Sequence, residues 1–211
     1  MSFRKLDWYF DFVSPFAYLQ SSRLDGFGMH ALVRPRPVLF AAILDHFGQK
    51  GPAEIAPKRG WTFEHVTWLA RQSNTSLKLP REHPFNPLPL LRLAIALECK
   101  VDVVQRLFAY VWRDGHLPDE ATRWESLLAE LGVDASALDD PEVKDRLRES
   151  TSDAIAAGVF GVPTAIVDGH LFWGYDATDM VYAKLGDNPF FDSEELKRAR
   201  ALPVSSRVRR A

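Results

Sequence analysis

Strand-forming segments lie near the two ends of this 211-residue chain, with a long helical stretch between them. The first segment, residues 6–12, reads LDWYFDF, an aromatic-rich strand pattern that stops at Ser14-Pro15. Apolar positions from Phe16 to about residue 28 have helical spacing. A second strand over residues 31–39 contains two prolines, which cannot donate to a β-ladder, so we expect it at a sheet edge. The chain therefore opens as β-α-β.

The C-terminal part of the chain returns to β structure. Residues 163–167 and 170–173 flank Asp168-Gly169, a pair typical of the type I′ turn in a two-residue hairpin. A helix is predicted over residues 177–185, so this part reads β-β-α. Strands at both ends with helices between them predict an α/β fold.

The middle of the chain is predicted to be mostly helical, with a proline-containing loop over residues 48–60. Helical periodicity is found in six segments: 40–47, 61–73, 89–100, 101–113, 122–131 and 141–158. We therefore divide the chain into a discontinuous α/β domain (1–38 and 159–187), an all-helical insertion (39–158) and a C-terminal tail (188–211). The tail is polar and basic, and we expect it to be mobile.

Composition excludes several classes of function. Lys and Arg total 26 against 28 Asp and Glu, a net charge of -2, whereas a nucleic-acid-binding protein needs a basic surplus. No apolar run reaches the ~18 residues of a membrane span. The single cysteine, Cys99, rules out an internal disulfide, a CxxC redox pair and a cysteine-based zinc site, and no other metal site is expected. The N-terminus has no signal or transit pattern, so we expect a cytoplasmic location.

Ser14-Pro15, at the first strand-to-helix junction, has two interpretations. Serine followed by proline is a common way to cap and begin a helix. Alternatively, the free N–H groups and the hydroxyl at this helix start could hold an anion. A thiolate would suit such a site, because helix N-termini lower the pKa of thiols.

Two further segments could hold a ligand. One interpretation of Pro163 is that it simply begins a strand. In the other, a cis Val162-Pro163 bond turns the Val162 backbone outward to pair with an extended peptide. Asp176 could cap the last helix, or it could bind an ammonium group beside a helix N-terminus that holds a carboxylate. The second combination suits a ligand end that carries an α-amino acid.

Together these segments resemble a known family. The layout is similar to the thioredoxin-like fold with a helical insertion found in DsbA-like disulfide oxidoreductases, although their Cys-Pro-x-Cys is replaced here by Ser14-Pro15-Phe16-Ala17. The closer resemblance, from Leu6 to about Gly186, is to the branch that comprises kappa-class glutathione transferases and 2-hydroxychromene-2-carboxylate isomerases. The matching segments are YFDFVSPFAYL (9–19), GPAEIAPKR (51–59), NPLPLLRLA (86–94), YVWRDG (110–115), VFGVPTAIVDG (159–169) and FWGYDA (172–177).

The resemblance implies that glutathione is the cofactor and assigns its contacts. Ser14 would be the catalytic residue, holding the glutathione sulfur as a thiolate. Val162, before a cis Pro163, would hydrogen-bond the cysteinyl backbone. The γ-glutamyl end would be held by four consecutive residues, with the aspartate foremost: Gly174, Tyr175, Asp176 and Ala177.

Three other residues fall in matching segments. Lys58 and Asn86 could face the glutathione pocket, although Lys58 could equally be a solvated loop charge. Trp112 could line the side of a second substrate, or it could be a core aromatic on its helix.

The chain also departs from the isomerase pattern. The isomerases often have Asn and Arg beside the residue matching Asp176, where this chain has Tyr175 and Ala177, and Leu44 stands where a basic residue for a substrate carboxylate is expected. The resemblance favours a glutathione-dependent isomerase of a small aromatic substrate, which could assemble as a homodimer. The alternatives are a kappa-like glutathione transferase and a non-catalytic thioredoxin-like protein that binds peptides along the Val162 edge.

Overall fold

The computed structural model describes residues 4–203 and contains one four-stranded sheet. Its strands are β1 (Lys5–Phe10), β2 (Leu32–Pro37), β3 (Thr164–Val167) and β4 (His170–Trp173), in the spatial order β2-β1-β3-β4. β1 pairs in parallel with β2 and antiparallel with β3, which pairs antiparallel with β4. All four strands and the edge position of the proline-containing β2 confirm the sequence predictions. The sheet places the end of β1 beside the start of β3.

Ten α-helices and four short 3₁₀ turns complete the described part of the chain. The helices are α1 (Pro15–Ser21), α2 (Leu24–Gly28), α3 (Phe40–His46), α4 (Ala56–Gln72), α5 (Leu88–Ala96), α6 (Val101–Trp112), α7 (Ala121–Leu131), α8 (Pro141–Ala156), α9 (Thr178–Leu185) and α10 (Glu194–Arg200). The 3₁₀ turns are Pro52–Glu54, Ala135–Asp139, Tyr175–Ala177 and Pro189–Asp192. None of these helices is both long and apolar enough to cross a membrane.

Two helix boundaries differ from the sequence prediction. The single helix expected over residues 16–28 is two helices, because the Ser21 and Ser22 hydroxyls donate to carbonyls three residues back and compete with helix continuation. Helix α4 begins at Ala56, inside the predicted loop over 48–60. Pro57 occupies its first turn, where the missing backbone N–H costs no hydrogen bond.

Residues 189–200 of the predicted tail form secondary structure, which the sequence analysis did not predict. A 3₁₀ turn there buries Phe191 to 6% exposure, with its ring against those of Phe172 and His170 at centroid distances of 5.6 and 5.5 Å. Ser193 then caps α10 by accepting a hydrogen bond from the Leu196 N–H. The last three basic residues of the predicted tail, Arg207, Arg209 and Arg210, lie outside the described residues.

One hydrophobic core joins the sheet to the helical segment. Phe108 on α6 packs against three aromatic side chains of β1 and the turn after it, with centroid distances of 6.0 Å to Trp8, 5.6 Å to Phe10 and 4.6 Å to Phe12. All four side chains are fully buried. Each such pair contributes about 0.5–1.5 kcal/mol beyond its buried area, so the helices hold β1 and the turn that follows it in a fixed position.

Candidate active site

Ser14 lies in the turn between β1 and α1 and is 6% exposed. Its backbone is extended, and its Oγ accepts a hydrogen bond from the Ala17 N–H at 3.2 Å, so the helix-capping interpretation is confirmed. The hydroxyl proton is donated to the Val162 carbonyl at 3.4 Å, longer than the usual ~2.5–3.0 Å between oxygen atoms. The Ser14 hydroxyl caps the helix with its oxygen, while its O–H makes only a long hydrogen bond. The O–H could therefore donate to an anion bound at the start of the helix.

The Val162–Pro163 peptide bond is cis, as the sequence analysis predicted. Val162 lies directly across from Ser14 because β1 and β3 are neighbours in the sheet. Within residues 4–203 the Val162 N–H has no hydrogen-bond acceptor, and its carbonyl receives only the long bond from Ser14. This backbone segment can therefore pair with an extended peptide as an added strand would.

Gly174–Ala177 lies next to the cis-proline. The Gly174 N–H donates to the Pro163 carbonyl at 2.8 Å. Gly174 has a φ of +96°, and a Cβ there would collide with the Asp176 carboxylate, so the position requires glycine. Asp176 is exposed and makes no helix-capping bond, since α9 is preceded by Ala177 without a side-chain cap. Its carboxylate is therefore free to meet a cation.

Gln20 is a residue of this region that the sequence analysis missed. It is 1% exposed, on α1, and its Oε1 accepts a bond from the Trp8 indole at 2.8 Å. Its Nε2 donates to the Gly174 carbonyl at 3.1 Å and to the Thr178 hydroxyl at 3.0 Å. A polar residue on the buried face of α1 was the available sequence signal. Gln20 thereby ties α1, the helix that Ser14 caps, to Gly174, which is itself bonded to Pro163, so these bonds form a ring with the Ser14–Val162 contact.

Asp11 is a second missed residue, three positions before Ser14 and 1% exposed. Its Oδ1 accepts a bond from the Val13 N–H at 3.0 Å, and its Oδ2 accepts one from the Phe40 N–H at 2.9 Å. Burial raises the pKa of the carboxyl to about 7, although bonds from the backbone N–H groups of Phe40, Val13 and Phe12 lower it. This acid therefore titrates close to neutral pH.

Aromatic side chains of α4 extend from the Ser14 turn to the surface. Phe16, in the first turn of α1, lies 5.7 Å from His65, which stacks on Trp61 at 5.6 Å. Trp61 is 65% exposed. His83 approaches the same turn, donating from Nε2 to the Val13 carbonyl at 2.8 Å, and burial lowers its pKa, so its ring is neutral at pH 7.

The assignment of Trp112 to a second-substrate wall is wrong. Its side chain is fully buried, and its indole N–H donates to the Phe12 carbonyl at 2.8 Å, so it is the core aromatic of the alternative interpretation. Lys58 is exposed in the first turn of α4 rather than in a loop. Asn86 is exposed, and its Oδ1 accepts a bond from the Leu88 N–H at 3.1 Å. In the described part of the chain, no hydrogen bond joins Lys58 or Asn86 to Ser14 or Val162.

Cys99 offers no reactive thiol to the site. Burial raises its pKa to about 11, so the thiol stays protonated at neutral pH. The position equivalent to a redox cysteine is occupied by Ser14, whose hydroxyl cannot form a disulfide. The arrangement can hold a thiolate but does not provide one.

The sheet order, the cis-proline beside a helix start and the helical segment define the class of this protein. The sequence profile of the DSBA-like thioredoxin domain matches residues 5–186, and the chain belongs to that family. This confirms the fold inferred from the sequence.

Within this family, the chain is similar to isomerases and to glutathione transferases. It is 25% identical over 193 residues to a 2-hydroxychromene-2-carboxylate isomerase of Sphingobium xenophagum, covering 87% of this chain and 99% of that protein. It is 24% identical over 209 residues to glutathione S-transferase kappa 1 of Rattus norvegicus, covering 87% and 92%. A solved 2-hydroxychromene-2-carboxylate isomerase structure superposes with a TM-score of 0.75 at 25% identity, covering 93% of this chain and 98% of the other.

Proposed function

We propose that this protein is a glutathione-dependent isomerase of 2-hydroxychromene-2-carboxylate or a related aromatic compound, which it interconverts with the ring-opened benzylidenepyruvate. The ring of hydrogen bonds that unites Ser14, Val162 and Gly174 is the observation that carries the proposal. It brings together a hydroxyl donor and an unpaired peptide edge, and the exposed Asp176 carboxylate follows Gly174 by two residues. The similarity to three curated isomerases over most of the chain supports the reaction type.

The unpaired groups of the site fit glutathione. The Val162 N–H and C=O are disposed to pair with the cysteinyl backbone, and the exposed Asp176 carboxylate suits the γ-glutamyl ammonium. The Ser14 hydroxyl can exchange its long, weak bond to Val162 for a charge-assisted one to the ionised sulfur. Tyr175 and Ala177 complete this segment, and we also propose Lys58 and Asn86, both exposed, as glutathione contacts.

The residues of this chain orient the reactants and stabilise charge. Glutathione, when bound, supplies a sulfur nucleophile that adds reversibly to a conjugated bond, permits rotation and is then eliminated. Ser14 stabilises the thiolate relative to the thiol, because its O–H bonds more strongly to an ionised sulfur. The Phe16–His65–Trp61 surface offers the aromatic partner a stacking face close to Ser14. We place this activity in the cytoplasm.

A kappa-like glutathione transferase is the second candidate, favoured by Tyr175, Ala177 and Leu44, which depart from the isomerase pattern. The two reactions differ in the fate of glutathione. An isomerase returns it after every turnover, whereas a transferase retains it in a released thioether.

The test is therefore conversion of excess hydroxychromene carboxylate with a trace of glutathione. Complete conversion to the equilibrium mixture supports the isomerase. Consumption of one glutathione per product, with an accumulating thioether, replaces it with the transferase. Absence of both glutathione binding and conversion leaves the non-catalytic, peptide-binding interpretation.

A further inference from the structure

The carboxylate of Asp11 joins two chain segments below the Ser14 turn. Its two oxygens accept hydrogen bonds from Val13, the residue before Ser14, and from Phe40, the first residue of α3. Its own carbonyl accepts a bond from the Ser14 N–H at 3.0 Å. No cationic side chain among residues 4–203 forms an ion pair with it. Both carboxylate oxygens of Asp11 therefore accept hydrogen bonds from backbone N–H groups.

The Phe40 contact connects this turn to the cis-proline side of the site. Phe40 packs against the buried cluster that contains Val162, Tyr9 and Ile43. Leu39, which precedes α3, has no side-chain cap of its own, so Asp11 supplies the acceptor from another part of the chain. Asp11 thereby links the loop that carries Ser14 to the segment that supports Val162.

A buried carboxylate without a cation is a costly way to satisfy two N–H groups, because desolvation opposes its charge. Asparagine cannot replace it, because an amide offers one acceptor oxygen and points a donor NH₂ at the other N–H. Only a group with two acceptor oxygens fixes Val13 and Phe40 at the same time.

We propose that Asp11 is a positioning residue that sets the Ser14 hydroxyl against the Val162 backbone by holding the two flanking segments together. The structural part stands without any ligand, and the kinetic part rests on the proposed function. Small displacements of reacting groups reduce rates by an order of magnitude or more. We expect Asp11→Asn to lower kcat about tenfold while KM for the aromatic substrate changes less than about threefold.

The matched control is Asp140→Asn. Asp140 also accepts a hydrogen bond from a backbone N–H, that of Glu142 at 2.8 Å, but it caps α8 on an exposed face. We expect Asp140→Asn to leave kcat unchanged, with at most a small drop in the melting temperature, because asparagine caps helices about as well as aspartate. If Asp11→Asn also changes only the melting temperature, Asp11 is a structural cap and the positioning proposal is overturned.

A ligand-free crystal structure of Asp11→Asn separates this proposal from the proposed function. We expect the Ser14 Oγ to Val162 O distance to leave hydrogen-bond range while the sheet is unchanged, whether or not glutathione binds. An unchanged distance contradicts the proposal. If the variant does not fold, the test is a pH titration of the wild type followed by NMR. We expect the amide resonances of Ser14 and Val162 to shift with the same midpoint pH as the Asp11 carboxyl. Midpoints that differ from that of Asp11 overturn the positioning proposal.

Discussion

Replacing Ser14 with alanine should damage catalysis far more than folding. The substitution removes the acceptor for the Ala17 N–H at 3.2 Å, a capping loss of about 1 kcal/mol in stability. It also removes the hydroxyl that donates to the Val162 carbonyl, although that bond, at 3.4 Å, contributes little. A hydrogen bond to an ionised sulfur provides roughly 1.5–3 kcal/mol, so turnover should fall about ten- to hundredfold.

The assay combines turnover at saturating glutathione with a titration of the bound thiol, followed by thiolate absorbance. Loss of the hydroxyl should raise the pKa of bound glutathione, while affinity for the thiol form should change little because Val162 and Asp176 remain.

Ser193→Ala is the matched control for this experiment. Ser193 caps α10 through a hydrogen bond from the Leu196 N–H, also 3.2 Å long. Both variants should lose similar stability, and only Ser14→Ala should lose turnover. Equal turnover in the two variants would show that Ser14 is a helix cap without a catalytic role.

Three further predictions concern binding and pH. Glutathione at a hundredfold excess over its Kd should stabilise the wild type by about 2.7 kcal/mol, and Asp176→Ala should reduce this shift in a thermal melt at the same glutathione concentration. Trp61→Ala should raise KM for the aromatic substrate, whereas Trp68→Ala, 59% exposed two turns along α4, should not; equal effects would exclude the stacking surface. The folded state raises the Asp11 pKa to about 7 and binds its proton more tightly than the unfolded chain, so wild-type stability should fall as pH rises from about 4 to 7. The pKa rises by roughly three units at ~1.36 kcal/mol each, so the wild type should lose about 4 kcal/mol of unfolding free energy that Asp11→Asn does not lose. Urea unfolding at a series of pH values measures this difference. Parallel curves of unfolding free energy against pH for the two proteins would contradict the raised pKa of Asp11.

The order of secondary-structure elements was predictable because its signals are local. Aromatic strands, the Asp168-Gly169 turn and helical periodicity all act within about ten residues, and the hairpin has the expected bounds to within one residue. The ordered segment after Gly186 was missed because its anchoring side chain, Phe191, packs against β4, far away in sequence. Polar composition alone gave no indication of that contact.

Residues of the candidate site were predicted where they belong to a sequence motif. They were missed where their hydrogen-bond partners lie far away in the sequence. The cis bond at Pro163 was predicted from its place directly before the hairpin and from the matching segment. Gln20 and Asp11 act on backbone groups of Gly174 and Phe40, which no local pattern connects to them. Trp112 could not be assigned from the sequence for a different reason. Tryptophan is favoured both in a hydrophobic core, where the structure places Trp112, and in a binding site for an aromatic ligand.

The ring of hydrogen bonds around Ser14 joins the beginning of the chain to its last third. The Ser14–Val162 contact spans 148 positions, and the Gln20–Gly174 contact spans 154. During synthesis, β1 and α1 leave the ribosome long before their partners in β3 and the Gly174 turn exist. The growing polypeptide therefore cannot form these hydrogen bonds until nearly the whole message has been translated, and a product truncated before Gly174 lacks the Gln20–Gly174 bond however well its helices form.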